Sequence, residues 1–203
     1  DPEERKAVMQ QEESLIDADF FLMLSQITEA MLAQGDERTA RVLAALQQEA
    51  LNNTKAGQEI KSQTQEVQEL LQKLQQVSRQ GLTREKLLDL MLEAKSEAAL
   101  TALVGLVRNG LDYEFFQILS ERIEASQDGA EKARLENLRA KLLEYARQVD
   151  EQIQRHFEQS RQLVQRIATS PNIEQTVEEN LETIDEFFFK ALEEELEQAR
   201  KSA

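Results

Sequence analysis

A short pattern that pairs an acidic residue with two phenylalanines occurs three times in this chain of 203 residues. Its copies are Ile16-Asp17-Ala18-Asp19-Phe20-Phe21, Leu111-Asp112-Tyr113-Glu114-Phe115-Phe116 and Ile184-Asp185-Glu186-Phe187-Phe188-Phe189. They hold seven of the eight phenylalanines, and a leucine follows each copy at the same offset, at Leu24, Leu119 and Leu192. Because self-similarity of this kind marks repeated structural units, the pattern predicts an internally duplicated protein.

The composition indicates which kind of unit is repeated. Six Gly and two Pro stand among abundant Gln, Glu, Leu, Ala, Lys and Arg, which are the residues that favour helices most. A net charge of −15 is also found in disordered chains, but here apolar residues recur at helical spacing and the Phe pairs need burial. The sequence therefore predicts an all-α fold, an internally duplicated helical bundle with long coiled-coil-like antiparallel helices.

The positions of the three copies predict how the chain is divided. We expect a first helical repeat unit over 1–110, a second over 111–183, and a partial third unit or capping helix over 184–203. These parts are expected to form one continuous helical assembly. The spacing of the copies matches none of the common helical repeats of about 33–47 residues.

Side-chain acceptors and glycines predict where the helices begin and end. N-caps are predicted at Asp17, Thr83, Ser96, Asp112 and Asn172, with a further capping box formed by Thr183 and Glu186. Left-handed helix ends are predicted at Gly35, Gly57, Gly81, Gly110 and Gly129. The main predicted helices cover 17–34, 37–51, 58–79, 83–95, 111–126 and 130–168.

The spacing of apolar residues predicts the face that each helix buries. For 17–34 this face is Phe20, Met23, Leu24, Ile27 and Met31; for 37–51 it is Val42, Leu46 and Ala50. For 83–95 it is Leu87, Leu88, Leu90 and Met91; for 111–126 it is Phe115, Phe116, Leu119 and Ile123. The helix after Ser96 is the most apolar, so we place it at the centre of the core. The stripe of 130–168 is Leu135, Leu138, Leu142, Val149, Ile153, Phe157, Leu163, Val164 and Ile167. At a rise of about 1.5 Å per residue this helix is too long to be buried throughout, so part of it should project as a hairpin arm or contact a second molecule.

No residue is assigned a catalytic, cofactor-binding or metal-binding role. The chain has no Cys and one histidine, His156, and Ile153 stands where a Glu-x-x-His metal motif needs its Glu. We therefore expect His156 to be structural or on the surface. Asp17, Asp112 and Asp185 are more simply explained as residues at helix starts than as cooperating carboxylates. Phosphate-binding loops and hydrolase motifs are absent from the sequence.

Charge and hydropathy limit the classes of partner. We do not expect this chain to bind nucleic acid, because such binding depends on Lys and Arg contacts to phosphates. Ten acidic and three basic residues lie between 171 and 203, and the interpretations are a solvated surface, a face for a basic partner, or a loose cation site at Glu178 and Glu182. No apolar run approaches the roughly 20 residues of a membrane helix, and no signal peptide is visible. We expect no membrane association and a cytoplasmic location.

Two segments resemble a known family. Residues 82–90, Leu82-Thr83-Arg84-Glu85-Lys86-Leu87-Leu88-Asp89-Leu90, and residues 111–124 are similar to the helical carboxy-terminal region of bacterial, Chloroflexi-type CpXC-domain proteins. In that family a cysteine-bearing, metal-binding ribbon precedes a helical tail of unassigned function. The resemblance implies that such a ribbon would lie before Asp1, since no Cys occurs here. It assigns no functional residue to this chain.

These observations favour a non-enzymatic helical scaffold or protein-interaction module. Its long helices would serve for self-association or to hold a protein partner. The alternative is a ligand-binding helical bundle, or an enzyme, with an acidic carboxylate pocket. A deep polar cavity with converging carboxylates and an ordered ion would favour the alternative, whereas a dry, aliphatic core with an exposed apolar seam on the long helix would favour the interaction module.

Overall fold

The fold is all-α, as predicted. The structure is a computed structural model that describes residues 2–202, and this part of the chain contains ten α-helices and no strand. The helices are α1 Pro2–Gln11, α2 Ala18–Ala33, α3 Glu37–Asn53, α4 Lys55–Arg79, α5 Arg84–Glu93, α6 Glu97–Val107, α7 Tyr113–Ala125, α8 Gly129–Ala168, α9 Ile173–Glu179 and α10 Glu186–Ser202. Single 3-10 turns at Glu13–Leu15, Arg108–Gly110 and Leu181–Thr183 precede the three Phe helices α2, α7 and α10.

The chain forms two compact units, residues 1–103 and 104–203. The boundary between them falls inside α6. The division into repeat units at 110 and 183 stays a prediction.

Local capping chemistry sets most helix starts where the sequence predicts them. Side chains of Asp17, Thr83, Ser96, Asp112 and Asn172 each accept a hydrogen bond from the backbone N–H three residues later. The predicted helix over 130–168 is confirmed as α8, which has 40 residues. Helix α1 was missed because its apolar periodicity is weak, with Met9 as its one buried side chain in the described part of the helix.

Two of the five predicted left-handed glycines are confirmed. Gly35 and Gly81 have φ angles of 80° and 90°, and they follow α2 and α4. The other three predictions were wrong: Gly57 lies inside the first turn of α4, Gly110 ends a 3-10 turn, and Gly129 begins α8. Asp128 caps that last helix through Ala130 N–H at 2.9 Å, so Gly129 starts a helix rather than ending one.

A single buried residue, Thr54, separates α3 from α4. Its Oγ1 donates to the carbonyl of Ala50 at 2.8 Å and accepts from the N–H of Gly57 at 3.1 Å. Thr54 thus satisfies the end of one helix and the start of the next. A Cβ on Gly57 would lie 2.5 Å from Cα of Leu51 and 2.6 Å from the carbonyl oxygen of Ala50, so the joint has room only for glycine.

In the first unit, α2 and α3 form an antiparallel hairpin. Phe21 packs with Ala50, Met9 and Ile16 in a buried cluster, and Gln47 donates to Ser25 at 2.9 Å. The predicted buried face of this hairpin was partly wrong. Met23, Ile27 and Val42 are 60%, 42% and 63% exposed, because α2 buries the side that carries Phe21 and Leu24 and its apolar arc extends beyond that side.

Helix α5 runs antiparallel to α4. Lys73 pairs with Glu93, while Glu66, about two turns earlier on α4, accepts from the backbone N–H groups of Lys95 and Ser96. Burial raises the pKa of Glu66, but these hydrogen bonds outweigh it and leave the pKa lowered. The predicted core residues of α5, Leu87, Leu88, Leu90 and Met91, are all buried.

Helix α6 is only partly buried. Leu100, Leu103 and Val104 have at most 5% exposure, in agreement with the predicted core, whereas Leu106 is 63% exposed. The apolar surface of α6 therefore extends beyond the part of it that is covered.

In the second unit, α7 packs antiparallel to the first part of α8. Phe115, Leu119 and Ile123 are buried as predicted, and Phe116 is half-buried. Just before α7, Arg108 forms two hydrogen bonds with Asp150 on α8, at 2.8 and 2.5 Å. This pair fixes the register between the two helices.

Helix α8 packs at its two ends rather than along a continuous seam. Leu135, Leu142 and Ala146 are buried in its first part, and Ser160, Leu163 and Val164 in its last part. No residue between 147 and 159 is buried, and Ile153, predicted to lie on the seam, is 44% exposed. The last part contacts α10, which runs in the same direction, because His156 meets Phe187 and Arg161 meets Glu195 further along both helices.

Candidate functional site

The single histidine of the sequence links α8 to the first turn of α10. Nε2 of His156 lies 2.8 Å from Oδ2 of Asp185, and its ring stacks on Phe187 with centroids 4.7 Å apart. Oδ1 of Asp185 accepts from the N–H groups of Phe187 and Phe188 at 3.0 and 3.1 Å. One carboxylate therefore caps α10 and holds its start against α8.

The other two aspartates of the repeated pattern cap their own helices. Asp17 accepts from the N–H of Phe20 at 3.0 Å, and Asp112 accepts from that of Phe115 at 3.1 Å. Thr183 was predicted to cap α10, but Asp185 occupies that position and the Thr183 hydroxyl donates to the Asn180 carbonyl instead. Helix α10 therefore begins after Asp185, because the carboxylate of this residue reaches the free N–H groups of the first helical turn.

A polar cleft of about 390 Å³ surrounds the His156–Asp185 contact. Its lining residues are His156, Gln159, Ser160, Leu163, Arg166, Asn180, Glu182, Thr183 and Asp185. The volume is near the lower end of the range of about 300–1,000 Å³ that is usual for ligand pockets. Sequence reasoning missed this cleft, because nothing in the local pattern around His156 pointed to the 3-10 turn that faces it.

The acidic segment lacks the carboxylate pair that one of its three interpretations, a loose cation site, requires. Helix α9 ends at Glu179, so Glu178 lies on that helix while Glu182 lies in the following 3-10 turn. The two side chains therefore do not stack one helical turn apart. Within residues 2–202, no group of three or more His, Asp or Glu side chains is arranged to hold a metal ion.

The two sides of α10 differ in how well they are covered. On the inner side, Phe188 and Ala191 pack against Leu163 and Val164. We call the adjoining side, formed by Phe189, Leu192, Glu193, Leu196, Glu197 and Arg200, the outer face of α10; it lines a shallow groove of about 380 Å³. Leu192, at its inner edge, packs against the cluster formed with α8, whereas Phe189 and Leu196 are 60% and 50% exposed.

Polar contacts fix which side of α10 faces outward. Glu195 accepts hydrogen bonds from Arg161 at 3.0 Å and from Gln165 at 3.2 Å. The bond from Arg161 lowers the pKa of Glu195 below its usual value. Because Glu195 is held against α8, Glu193 and Glu197, which lie on the other side of α10, are directed away from α8.

We expect His156 and Asp185 to be energetically coupled. In a double-mutant cycle of His156→Ala and Asp185→Ala, the coupling should be about 0.5–1 kcal/mol, since both side chains are partly exposed to water. Urea unfolding measures the four free energies. In the matched control cycle, Asp17→Ala replaces Asp185→Ala, because Asp17 also caps a helix but has no histidine partner. A coupling energy of zero would contradict a link between α8 and α10.

The length and apolar character of a helix decide whether it can span a membrane. Among the described residues, no helix has both the length and the apolar character that crossing a bilayer demands.

These features define the class: an acidic, all-α protein with a polar cleft and an uncovered helix face. The family model described as Domain of unknown function (DUF8246) matches residues 51–153, about half of the chain, and the chain belongs to this family. No curated protein and no solved structure matches the chain. The match includes residues 82–90 and 111–124, but its description carries no link to CpXC proteins or to a bacterial group. That resemblance stays a prediction.

Proposed function

We propose that this chain is a non-enzymatic helical scaffold that binds a protein partner through the outer face of α10. The observation that carries the proposal is the exposure of Phe189 and Leu196, at 60% and 50%, in one row on a single helix. Large apolar side chains that repeat along one side of a helix are typical of a packing surface. The inner side of the same helix is already occupied by α8.

Internal duplication is part of this proposal. In all three copies of the pattern a 3-10 turn precedes an aspartate cap. Two adjacent phenylalanines that follow make an edge-to-face contact in each copy, with interplanar angles of 86–88°. This recurrence supports repeat units over 1–110 and 111–183 and a partial unit over 184–203. The coiled-coil-like part of the proposal is limited to the antiparallel pairing of α7 with the first part of α8, since no residue between 147 and 159 is buried.

A second candidate function is ligand binding in the polar cleft around His156 and Asp185. It is favoured by the convergence of His156, Asp185, Glu182 and Arg166 around one opening. The His156→Ala variant also tests this candidate, because a ligand that raises the melting temperature of the wild type but not of the variant would favour it. The cap and stacking contacts of Asp185 and Phe187 explain the same residues without a ligand, so it ranks second.

The class of partner follows from charge. A net charge of −15 disfavours nucleic acid and anionic membrane surfaces, so a protein is the proposed partner.

On the CpXC resemblance alone, we also propose that a metal-binding ribbon precedes this region in the full protein. Cys-x-Cys or Cys-x-x-Cys pairs encoded before Asp1 would support that proposal, and their absence would contradict it.

Photo-crosslinking tests the interaction module. With p-benzoylphenylalanine at Leu196, illumination of cells that make the protein should yield a discrete protein adduct, which mass spectrometry identifies. Tyr113 is the matched control position, because it is 82% exposed but isolated at the start of α7. The partner must then bind the purified chain, and Leu196→Ser must weaken that binding. Equal adducts at both positions, or none, would contradict the proposal.

A further inference from the structure

The repeated pattern itself shows what can cover the exposed phenylalanine of α10. The fourth residue after the capping aspartate is Phe21 in the first copy and Phe189 in the third. Phe21 is 6% exposed because Met9 of α1 and Ala50 of α3 pack against it. Phe189 is 60% exposed. Where this chain covers the position, it does so with helices.

The geometry of the outer face also suits a helix. Phe189, Leu192 and Leu196 follow one another at intervals of three and four residues, which places them along one side of α10. They extend over about 10 Å at a rise of roughly 1.5 Å per residue. That length corresponds to two turns of a partner helix, which would dock its own apolar residues at the same spacing.

The charged residues beside this apolar row indicate which kind of partner helix would bind. Glu186, Glu193 and Glu197 repeat at intervals of seven and four residues, so they form an acidic line next to the apolar row. All three are exposed. Two cations lie at the end of the helix: Arg200 borders the groove, and Lys201 is 3.7 Å from Glu197. A third cation, Lys190, stands between Glu186 and Glu193 in the sequence, but its Nζ lies over the Phe157 ring of α8, 5.6 Å from the centroid. Along the two turns that carry the apolar row, the charges on the outer face itself are therefore acidic.

We propose that the outer face of α10 binds a basic amphipathic helix of a partner protein. This inference rests on the proposed function and adds the chemistry of the partner to it. Apolar residues of the partner would cover Phe189 and Leu196, while its Lys and Arg would face Glu193 and Glu197. A second copy of this chain fits less well, because its own outer face would bring a second acidic line to the interface. A contact of two helical turns is small, so micromolar or weaker binding is expected.

Peptide binding to the full chain tests the inference. The probe is an 18-residue fluorescein-labelled peptide with Leu at positions i, i+3, i+4 and i+7 and Lys elsewhere. Its first control has Glu in place of every Lys, and its second is a scrambled Lys peptide of the same composition. Fluorescence anisotropy should give at least about tenfold tighter binding of the basic amphipathic peptide than of either control.

Matched variants locate the binding on α10. Leu196→Ser should weaken the peptide by about tenfold or more, as loss of a central apolar contact does. The double variant Glu193→Gln/Glu197→Gln should weaken it severalfold and reduce its salt dependence. Glu178→Gln/Glu179→Gln on α9 removes the same charge elsewhere and should have no effect. Unchanged melting temperatures establish that the variants are folded.

The outcomes separate this inference from the proposed function. If the Lys and Glu peptides bind equally and Leu196→Ser weakens both, the docking face stands and the basic partner is wrong. If the α9 variant weakens binding as much as the α10 variant, only net charge is being measured and the inference is overturned. Sedimentation that finds a dimer lost in Leu196→Ser would make a second copy the occupant. If no peptide binds but the crosslink at Leu196 forms, the proposed function survives alone.

Discussion

The Phe115→Ala substitution should lower the free energy of unfolding by about 3–5 kcal/mol. Phe115 has no exposed surface, and its truncation removes the buried ring and leaves a cavity that the neighbouring helices cannot fill completely. It also removes the edge-to-face contact with Phe116, whose ring centroid is 5.3 Å away. Urea unfolding monitored by far-ultraviolet circular dichroism measures the change.

The control for this prediction lies on the same helix. Tyr113 is 82% exposed, so Tyr113→Ala should change the free energy of unfolding by less than about 0.5 kcal/mol. Equal effects of the two substitutions would mean that the burial assigned to Phe115 is wrong. If unfolding occurs in two steps and Phe115→Ala lowers the free energy of only one of them, the effect belongs to one of the two compact units.

The second large effect is expected at Gly57. A methyl group there would lie 2.5–2.7 Å from three backbone atoms of Ala50 and Leu51, and backbone atoms cannot move aside as a flexible side chain can. Gly57→Ala should therefore lower the free energy of unfolding by about 3 kcal/mol, toward the upper end for overpacking. The substitution should also disturb the hydrogen bond from the Gly57 N–H to Thr54.

Gly105 provides the matched control. It lies inside α6, and an added Cβ would meet no atom within 4 Å. Gly105→Ala should therefore raise the free energy of unfolding by about 0.5–1 kcal/mol, because alanine loses less backbone entropy in a helix than glycine. Thermal and urea unfolding should show opposite signs for the two substitutions. A stabilised Gly57→Ala protein would refute the close approach of α3 and α4.

Local chemistry was readable from the sequence. The caps at Asp17, Asp112 and Asn172 were predicted because each depends on one side chain and the N–H three residues later. The long helix α8 was predicted because few residues that break helices interrupt it. Interactions that span only a few positions need no knowledge of the tertiary fold.

Features that depend on distant contacts were not readable. The sequence could not show that α2 turns Phe21 rather than Met23 toward its neighbours, because both lie on a wide apolar arc. It could not show that Gly57 packs against the end of α3. A glycine between two helices and a glycine at the end of one helix have the same local sequence pattern. The His156–Asp185 contact depends on the return of the chain after α8.

The distribution of burial along α8 makes the effects of substitutions at its two ends independent. Between Ala146 and Ser160 no side chain is buried, and this stretch is about 20 Å long at a rise of roughly 1.5 Å per residue. Free-energy changes at sites farther apart than about 7–10 Å usually add. Sequence changes on the outer face of α10 can therefore accumulate without disturbing the packing of α7 against the other end of α8.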